Sequence, residues 1–262
     1  MSISLPLLPT PIFSIDSESA QKEMATGTEA HLWRLNTNQF TAAHFAEAAQ
    51  IMSSHEQERA QKMVRGKETY IASRWLLRKV LGAYTGTTAA QINLRRTDKG
   101  KPYLAHSNIH FSLSHSGRWA VLAVSTSVAM GIDIEATKAT RDLAGIAEHY
   151  YHPQEFAQLQ TLTGDAQYDY FYRLWTLKEA FFKATGTGIS AGLDKIHFSL
   201  NNDEIQAEIA TNLNKEKAGR QFHQWALTTG GESTHNYCAL AYTAPYRLAV
   251  RWFDALAAPA FS

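Results

Sequence analysis

Three short segments of this 262-residue chain carry side chains able to act together in catalysis. The pentapeptide Gly131-Ile132-Asp133-Ile134-Glu135 alternates apolar and acidic residues. In a strand, that alternation sends Ile132 and Ile134 to one face and Asp133 and Glu135 to the other, with the acidic Cα atoms about 6.6 Å apart. Two carboxylates on one face repel, and a hard divalent cation turns the repulsion into binding. An edge strand with a polar outer face would show the same pattern, so the pentapeptide alone leaves both readings open. The second segment, Trp175-Thr176-Leu177-Lys178-Glu179-Ala180-Phe181-Phe182-Lys183, lies on a helix with Phe171, Leu174, Trp175 and Phe182 on its packing face. Glu179 and Lys183 are one turn apart, either as an ordinary surface pair worth about 0.3 kcal/mol or as a third carboxylate with a lysine facing a phosphate. The third segment, Phe111-Ser112-Leu113-Ser114-His115-Ser116-Gly117, is an alternating strand that ends in a hydroxyl, an imidazole and a glycine turn. No second His or Cys stands at zinc-ligand spacing from His115, and no Gly-x-Ser-x-Gly elbow supports a Ser-His hydrolase. Neither a phosphate-binding P-loop nor a Gly-x-Gly-x-x-Gly fingerprint occurs, and Thr185-Gly186-Thr187-Gly188 reads as a helix stop.

Periodicity predicts the elements that hold these segments. Residues 1–28 read as an irregular N-terminal arm, followed by a strand over His31–Leu35. Helices are expected over Thr41–Met52 and over His55–Tyr84, the latter interrupted near Gly66 and stopped by Gly82 and Gly86. Strands follow over Ile92–Leu94, Ile109–Ser114, Trp119–Ser125 and Met130–Glu135, with a turn at Lys99-Gly100-Lys101-Pro102. Helices over Leu143–Tyr150, Pro153–Leu162 and Ala166–Ala184 then lead into strands over Ile196–Leu200, Ile205–Ile209, Phe222–Thr228, Tyr237–Tyr242 and Arg247–Phe253. Helices then strands, twice over, predict an α+β chain of two similar lobes, 29–130 and 131–253, with a tail over 254–262.

Composition narrows the function classes. An apolar content of 45% gives a globular core, and 25 basic against 24 acidic residues exclude a global nucleic-acid or membrane footprint. The single Cys238 forms no internal disulfide or redox pair, which points to a reducing cytoplasm, and neither a secretion leader nor a membrane span is legible. The charge is unevenly spread. His55–Arg118 holds twelve basic residues against four acidic ones, whereas Gly131–Lys183 holds five against eight. The first segment suits an anionic ligand and the second a cation, although charged helix surfaces are often simply solvated.

Ser114-His115-Ser116-Gly117, then Gly-Ile-Asp-Ile-Glu at 131–135, then Trp-x-x-Lys-Glu-Ala at 175–180 together resemble phosphopantetheinyl transferases of the larger, two-lobed Sfp type. The resemblance runs over roughly residues 30–245 and takes in Gly100-Lys101-Pro102 and Asp169-Tyr170-Phe171-Tyr172. It implies a pseudo-twofold pair of α/β lobes with the active site in the cleft between them. The activity implied is transfer of the 4′-phosphopantetheine arm of coenzyme A to a serine of an apo acyl or peptidyl carrier protein, with release of adenosine 3′,5′-bisphosphate. By the same resemblance Asp133, Glu135 and Glu179 would hold Mg²⁺, or Mn²⁺ in its place, and Lys183 would contact the pyrophosphate. Glu155 would help deprotonate the serine, and Arg59, Lys62, Arg74, Lys101, Ser114 and His115 would bind the coenzyme A phosphates and nucleotide. Trp75 departs from the family by standing where some members have a small hydroxyl residue.

The residue types suit that chemistry. Attack at a pyrophosphate phosphorus requires its oxygens to be neutralised, which a carboxylate-held divalent cation and a lysine both do. Two rivals are a Mg²⁺-dependent nucleotide pyrophosphatase that uses water in place of serine, and a non-catalytic coenzyme A or carrier-binding module. A monomer is expected, because two lobes in one chain already form the cleft.

Overall fold

The computed structural model describes residues 5–6, 26–201, 204–213, 219–227 and 235–256. The expected N-terminal arm and C-terminal tail lie largely outside them. In chain order the elements are β1 (Glu29–Asn36), α1 (Ala42–Ile51), α2 (Ser54–Lys62), α3 (Lys67–Thr85), β2 (Leu94–Arg96), β3 (Pro102–Leu104), β4 (His110–Ser116), β5 (Trp119–Ser125) and β6 (Met130–Ala136). They continue with α4 (Leu143–Tyr150), α5 (Pro153–Gln160), α6 (Gly164–Thr185), β7 (Ile196–Asn201), β8 (Glu204–Ile209), β9 (Arg220–Leu227), β10 (Asn236–Thr243) and β11 (Ala249–Asp254). The mixed helix and strand content is that of the expected α+β class, and the chain divides into two units.

One unit holds residues 26–129 together with 248–256. Its sheet runs β11-β1-β5-β4, with β1 parallel to β11 and antiparallel to β5. Helix α3 presents Leu76, Leu77, Val80 and Leu81 to the core, all fully buried, and Trp33 stacks on Phe253 at 4.7 Å. Gly82, expected to stop this helix, lies inside it. A Cβ there would come within 2.8 Å of the Thr87 carbonyl oxygen, so packing rather than termination requires the glycine. The stop is Gly86, in the left-handed region with φ of 67°. The strand expected at Ile92–Leu94 begins instead at Leu94, because Ile92 is a core residue that precedes the β2–β3 ribbon.

The other unit holds Met130–Arg247 with residues 5 and 6. Its antiparallel sheet runs β6-β10-β9, the β7–β8 hairpin stands apart, and the 22-residue α6 packs on β6 and β10. Phe171, Tyr172, Leu174, Leu177, Ala180 and Phe181 of α6 belong to the buried core of this unit. The second position of β6 is decisive. An ideal Cβ on Gly131 would lie 2.0 Å from the Ala180 carbonyl oxygen and 2.3 Å from the Ala184 nitrogen. Only a residue without a side chain lets the strand and helix backbones approach so closely.

Candidate active site

Because side chains alternate along β6, the face on which Gly131 meets α6 is also the face of Asp133 and Glu135. Asp133 is 4% exposed, and Lys183 Nζ on α6 donates to its Oδ1 at 2.7 Å. One turn earlier stands Glu179. Burial holds its carboxyl up to about 7, the Asp133 and Glu135 charges add to the rise, and Lys183 and Arg141 oppose it. The two acidic positions of the strand and the one on the helix therefore belong to one electrostatic cluster. They are not drawn into a closed ligand set: among the described residues no group of three or more His, Cys, Asp or Glu side chains is arranged to hold a metal ion. Lys183 supplies the neutralising positive charge at Asp133 instead.

Three positions of the Trp175–Ala180 segment have distinct surroundings. Lys178, the neighbour of Glu179, turns inward and is fully buried. Its Nζ donates to Glu155 Oε2 at 2.8 Å and to the carbonyl oxygens of Leu193, at 2.9 Å, and Ile196. Ala180 leaves the backbone open to Gly131. Trp175 stacks parallel to Phe171 at 5.9 Å.

The surroundings of Glu155 differ from those of the base that the resemblance implies. Its side chain is fully buried at the start of α5, and Oε2 accepts from the His152 amide at 3.0 Å as well as from Lys178, while Oε1 accepts from the Phe198 amide at 2.8 Å. His152 and Glu155 form a capping box, a helix-start pattern visible in Tyr150-Tyr151-His152-Pro153-Gln154-Glu155. With both oxygens accepting hydrogen bonds from the interior, Glu155 has the surroundings of a structural residue.

In the unit that holds 26–129, the expected anion-binding residues sit on several elements. The guanidinium carbons of Arg59 on α2 and Arg74 on α3 lie 5.5 and 5.3 Å from the ring centroid of Tyr70. Burial raises the Tyr70 hydroxyl above its ordinary range, against the pull of Arg74, Arg59 and Arg96. Tyr70 and Arg96 thus join a basic group that helical spacing alone did not single out. Lys62 ends α2. Lys101, on the Lys99–Pro102 turn, is pushed down to about 8 by burial, and its charge helps lower the His110 imidazole on β4. Ser114 is buried on β4 and His115 is exposed beside it. The Thr69 hydroxyl donates to the Gly117 carbonyl at 2.9 Å, which ties the turn after His115 to the first helical turn of α3.

Not every basic residue of the His55–Arg118 run is available to a ligand. Arg78 is 3% exposed, pairs with Glu56 at 2.7 Å and donates to the carbonyls of Ala89 and Ile92. Trp75 is a core residue whose indole N–H donates to Glu47 at 2.7 Å. No helix among the described residues is long and apolar enough to cross a membrane.

Comparison with known proteins adds two adjoining matches. Residues 129–242 match the family model described as the 4′-phosphopantetheinyl transferase superfamily, and residues 37–127 match one described as 4′-phosphopantetheinyl transferase, N-terminal. The chain is 36% identical over 182 residues to 4′-phosphopantetheinyl transferase HetI of Nostoc sp., covering 67% of this chain and 76% of that protein. It is 42% identical over 130 residues to a 4′-phosphopantetheinyl transferase of Bacillus subtilis, covering 49% of this chain and 56% of that one. The crystal structure of holo-[acyl-carrier-protein] synthase from Thermotoga maritima aligns over 45% of this chain and 65% of that one, at 19% identity and a TM-score of 0.33, a superposition too loose to support an argument.

Proposed function

The chain belongs to the 4′-phosphopantetheinyl transferase superfamily, and from this we infer that it is an enzyme that transfers the phosphopantetheine arm of coenzyme A to a serine of an apo carrier protein. The products are the holo-carrier protein and adenosine 3′,5′-bisphosphate. The observation that carries the site assignment is the convergence of Asp133, Glu135, Glu179 and Lys183 where β6 crosses α6.

These carboxylates fit a hard divalent cation such as Mg²⁺. All the donors are oxygens, and the proton affinity of Glu179 is raised first by burial and then by the Asp133 and Glu135 charges, a cost that a bound cation relieves. Asp133, Glu135 and Glu179 would hold the ion, which when bound supplies charge neutralisation at the diphosphate oxygens. Lys183, tethered at Asp133 here, is the group we assign to a phosphate oxygen of the substrate. The basic residues Arg59, Lys62, Arg74 and Lys101, with Ser114 and His115, are proposed for the remaining phosphates and the nucleotide, because several cationic contacts together hold a polyanion. Glu155 is assigned to holding Lys178 and the start of α5 rather than to removing the serine proton, since its oxygens already accept from Lys178, His152 and Phe198.

A Mg²⁺-dependent pyrophosphatase could use the same residues with water as acceptor. Incubating the protein with Mg²⁺ and coenzyme A, with and without an apo carrier protein, separates the two. A transferase adds the arm's mass to the carrier and leaves coenzyme A intact when the carrier is omitted. Breakdown of coenzyme A without a carrier would contradict the transferase reading.

A further inference from the structure

The Asp169-Tyr170-Phe171-Tyr172 segment and Trp175 find a use around a residue that motif reading passed over. Arg141 lies on the loop between β6 and α4, and that loop is pinned at several points. The Lys138 amide donates to the Tyr172 hydroxyl at 2.9 Å, and the Tyr168 hydroxyl donates to the Ala139 carbonyl at 3.1 Å. The Arg141 amide closes a turn on the Lys138 carbonyl at 3.1 Å, and Asp142 caps α4 through the Gly145 amide at 3.0 Å. Two tyrosines of α6 and one helix cap thus fix the backbone that carries Arg141.

The guanidinium is fixed as well. Its central carbon lies 5.1 Å from the Trp175 ring centroid, 5.6 Å from that of Tyr172 and 5.8 Å from that of Phe171. Phe171 and Tyr172 are fully buried, so this aromatic shelf is part of the core. A flat guanidinium suits such a shelf, and an ammonium suits it less well. Arg141 Nη1 is buried and makes no hydrogen bond among the described residues, and it stands 3.8 Å from Glu135 Oε2. That distance is an ion pair rather than a hydrogen bond. A buried donor of this kind is costly when left without an acceptor, so it draws a nearby carboxylate toward it.

We propose that Arg141 is a positioning residue: held on the Phe171–Tyr172–Trp175 shelf, its guanidinium sets the orientation of the Glu135 carboxylate for a divalent cation. The inference rests on the cation reading above, and it makes a prediction opposite in sign to simple electrostatics. A positive charge beside a cation site should weaken binding, so its removal should strengthen binding if charge were all that mattered. A residue that orients a ligand does the reverse when removed.

The test is a Mn²⁺ titration of the full chain, with free aquo-ion followed by electron paramagnetic resonance, for wild type, Arg141→Met, Trp175→Leu and the double variant. Thermal unfolding reports whether each folds. Arg141→Met is expected to weaken Mn²⁺ binding about fivefold or more, Trp175→Leu to weaken it less, and the double variant to bind no more weakly than Arg141→Met, because the shelf acts through the arginine. Unchanged or tighter binding in Arg141→Met overturns the proposal, and independent, multiplying effects overturn the role of the shelf. If Arg141→Met does not fold, Arg141→Lys keeps the charge without the flat fork. It is expected to shift affinity in the same direction, and wild-type affinity in it overturns the proposal equally. Asp133→Ala separates the two levels: binding that survives there refutes the cation site itself, whereas binding lost there but intact in the Arg141 variant refutes the positioning role alone.

Discussion

Glu155 Oε2 and Lys178 Nζ lie 2.8 Å apart with both side chains fully buried, so one member of the Trp175–Ala180 segment serves the interior while the next, Glu179, serves the candidate site. Burial lowers the Lys178 ammonium from its usual range, and the Glu155 carboxylate opposes that fall. Removing one partner leaves the other's charge uncompensated. Glu155→Gln and Lys178→Met are each expected to cost about 3–5 kcal/mol of stability, and the double variant less than the sum. Denaturant unfolding of the four proteins checks this, and a stable Glu155→Gln with a purely catalytic defect would return that carboxylate to the role of base.

Gly131→Ala tests the strand–helix contact. The new methyl group meets the Ala180 carbonyl and Ala184 nitrogen, which are backbone atoms that no rotamer change can move. A loss of about 1–3 kcal/mol or more is expected from overpacking. Transfer activity is expected to fall further than stability accounts for, because β6 and α6 carry the acidic cluster. Wild-type kcat/KM in a folded Gly131→Ala protein would show that the contact does not set the site.

Lys101 supplies a pH dependence. Its ammonium is held at about 8 in the folded protein by burial, against 10.5 for a free, solvated side chain. Between those values the unfolded chain binds more protons, so this group makes stability rise with pH across that window, the desolvation penalty being fully present below it. Ligand binding runs the other way. If Lys101 holds a phosphate, the Kd for coenzyme A rises as pH passes about 8, with proton uptake on binding above that pH, and Lys101→Arg flattens the dependence. Calorimetry in buffers of different ionisation enthalpy measures the uptake. A Kd independent of pH from 7 to 9.5 in the wild type would remove Lys101 from the phosphate site.

Much of the architecture is legible in the sequence because its cues are local. Alternation marks β4 and β6, a continuous apolar run with β-branched and aromatic residues marks β5, three- and four-residue apolar spacing marks α3 and α6, and Gly86 and Gly186 end those helices in the left-handed region. What is not legible depends on distant partners. The parallel pairing of β11 with β1 joins residues more than two hundred positions apart, and no pattern within either strand announces it. The inward turn of Lys178 and Arg78 is equally hidden, since a lysine or arginine on a helix reads as surface until its buried carboxylate is known. The capping pattern His152–Glu155 was the available warning that Glu155 had a structural use. For Arg141 the only signal was a density of aromatic residues on α6, which names no partner.

The most direct test of the central claim, that Asp133 and Glu179 hold the divalent cation on which transfer depends, is the rate at which an apo carrier protein gains the phosphopantetheine arm, followed by intact-protein mass over a Mg²⁺ series. Wild type, Asp133→Ala and Glu179→Ala are compared, with unfolding measured alongside. Each substitution is expected to lower kcat/KM by about a thousandfold or more, roughly 4 kcal/mol of transition-state stabilisation, while leaving the fold intact. Near-normal rates in either variant at modest Mg²⁺ would contradict the assignment.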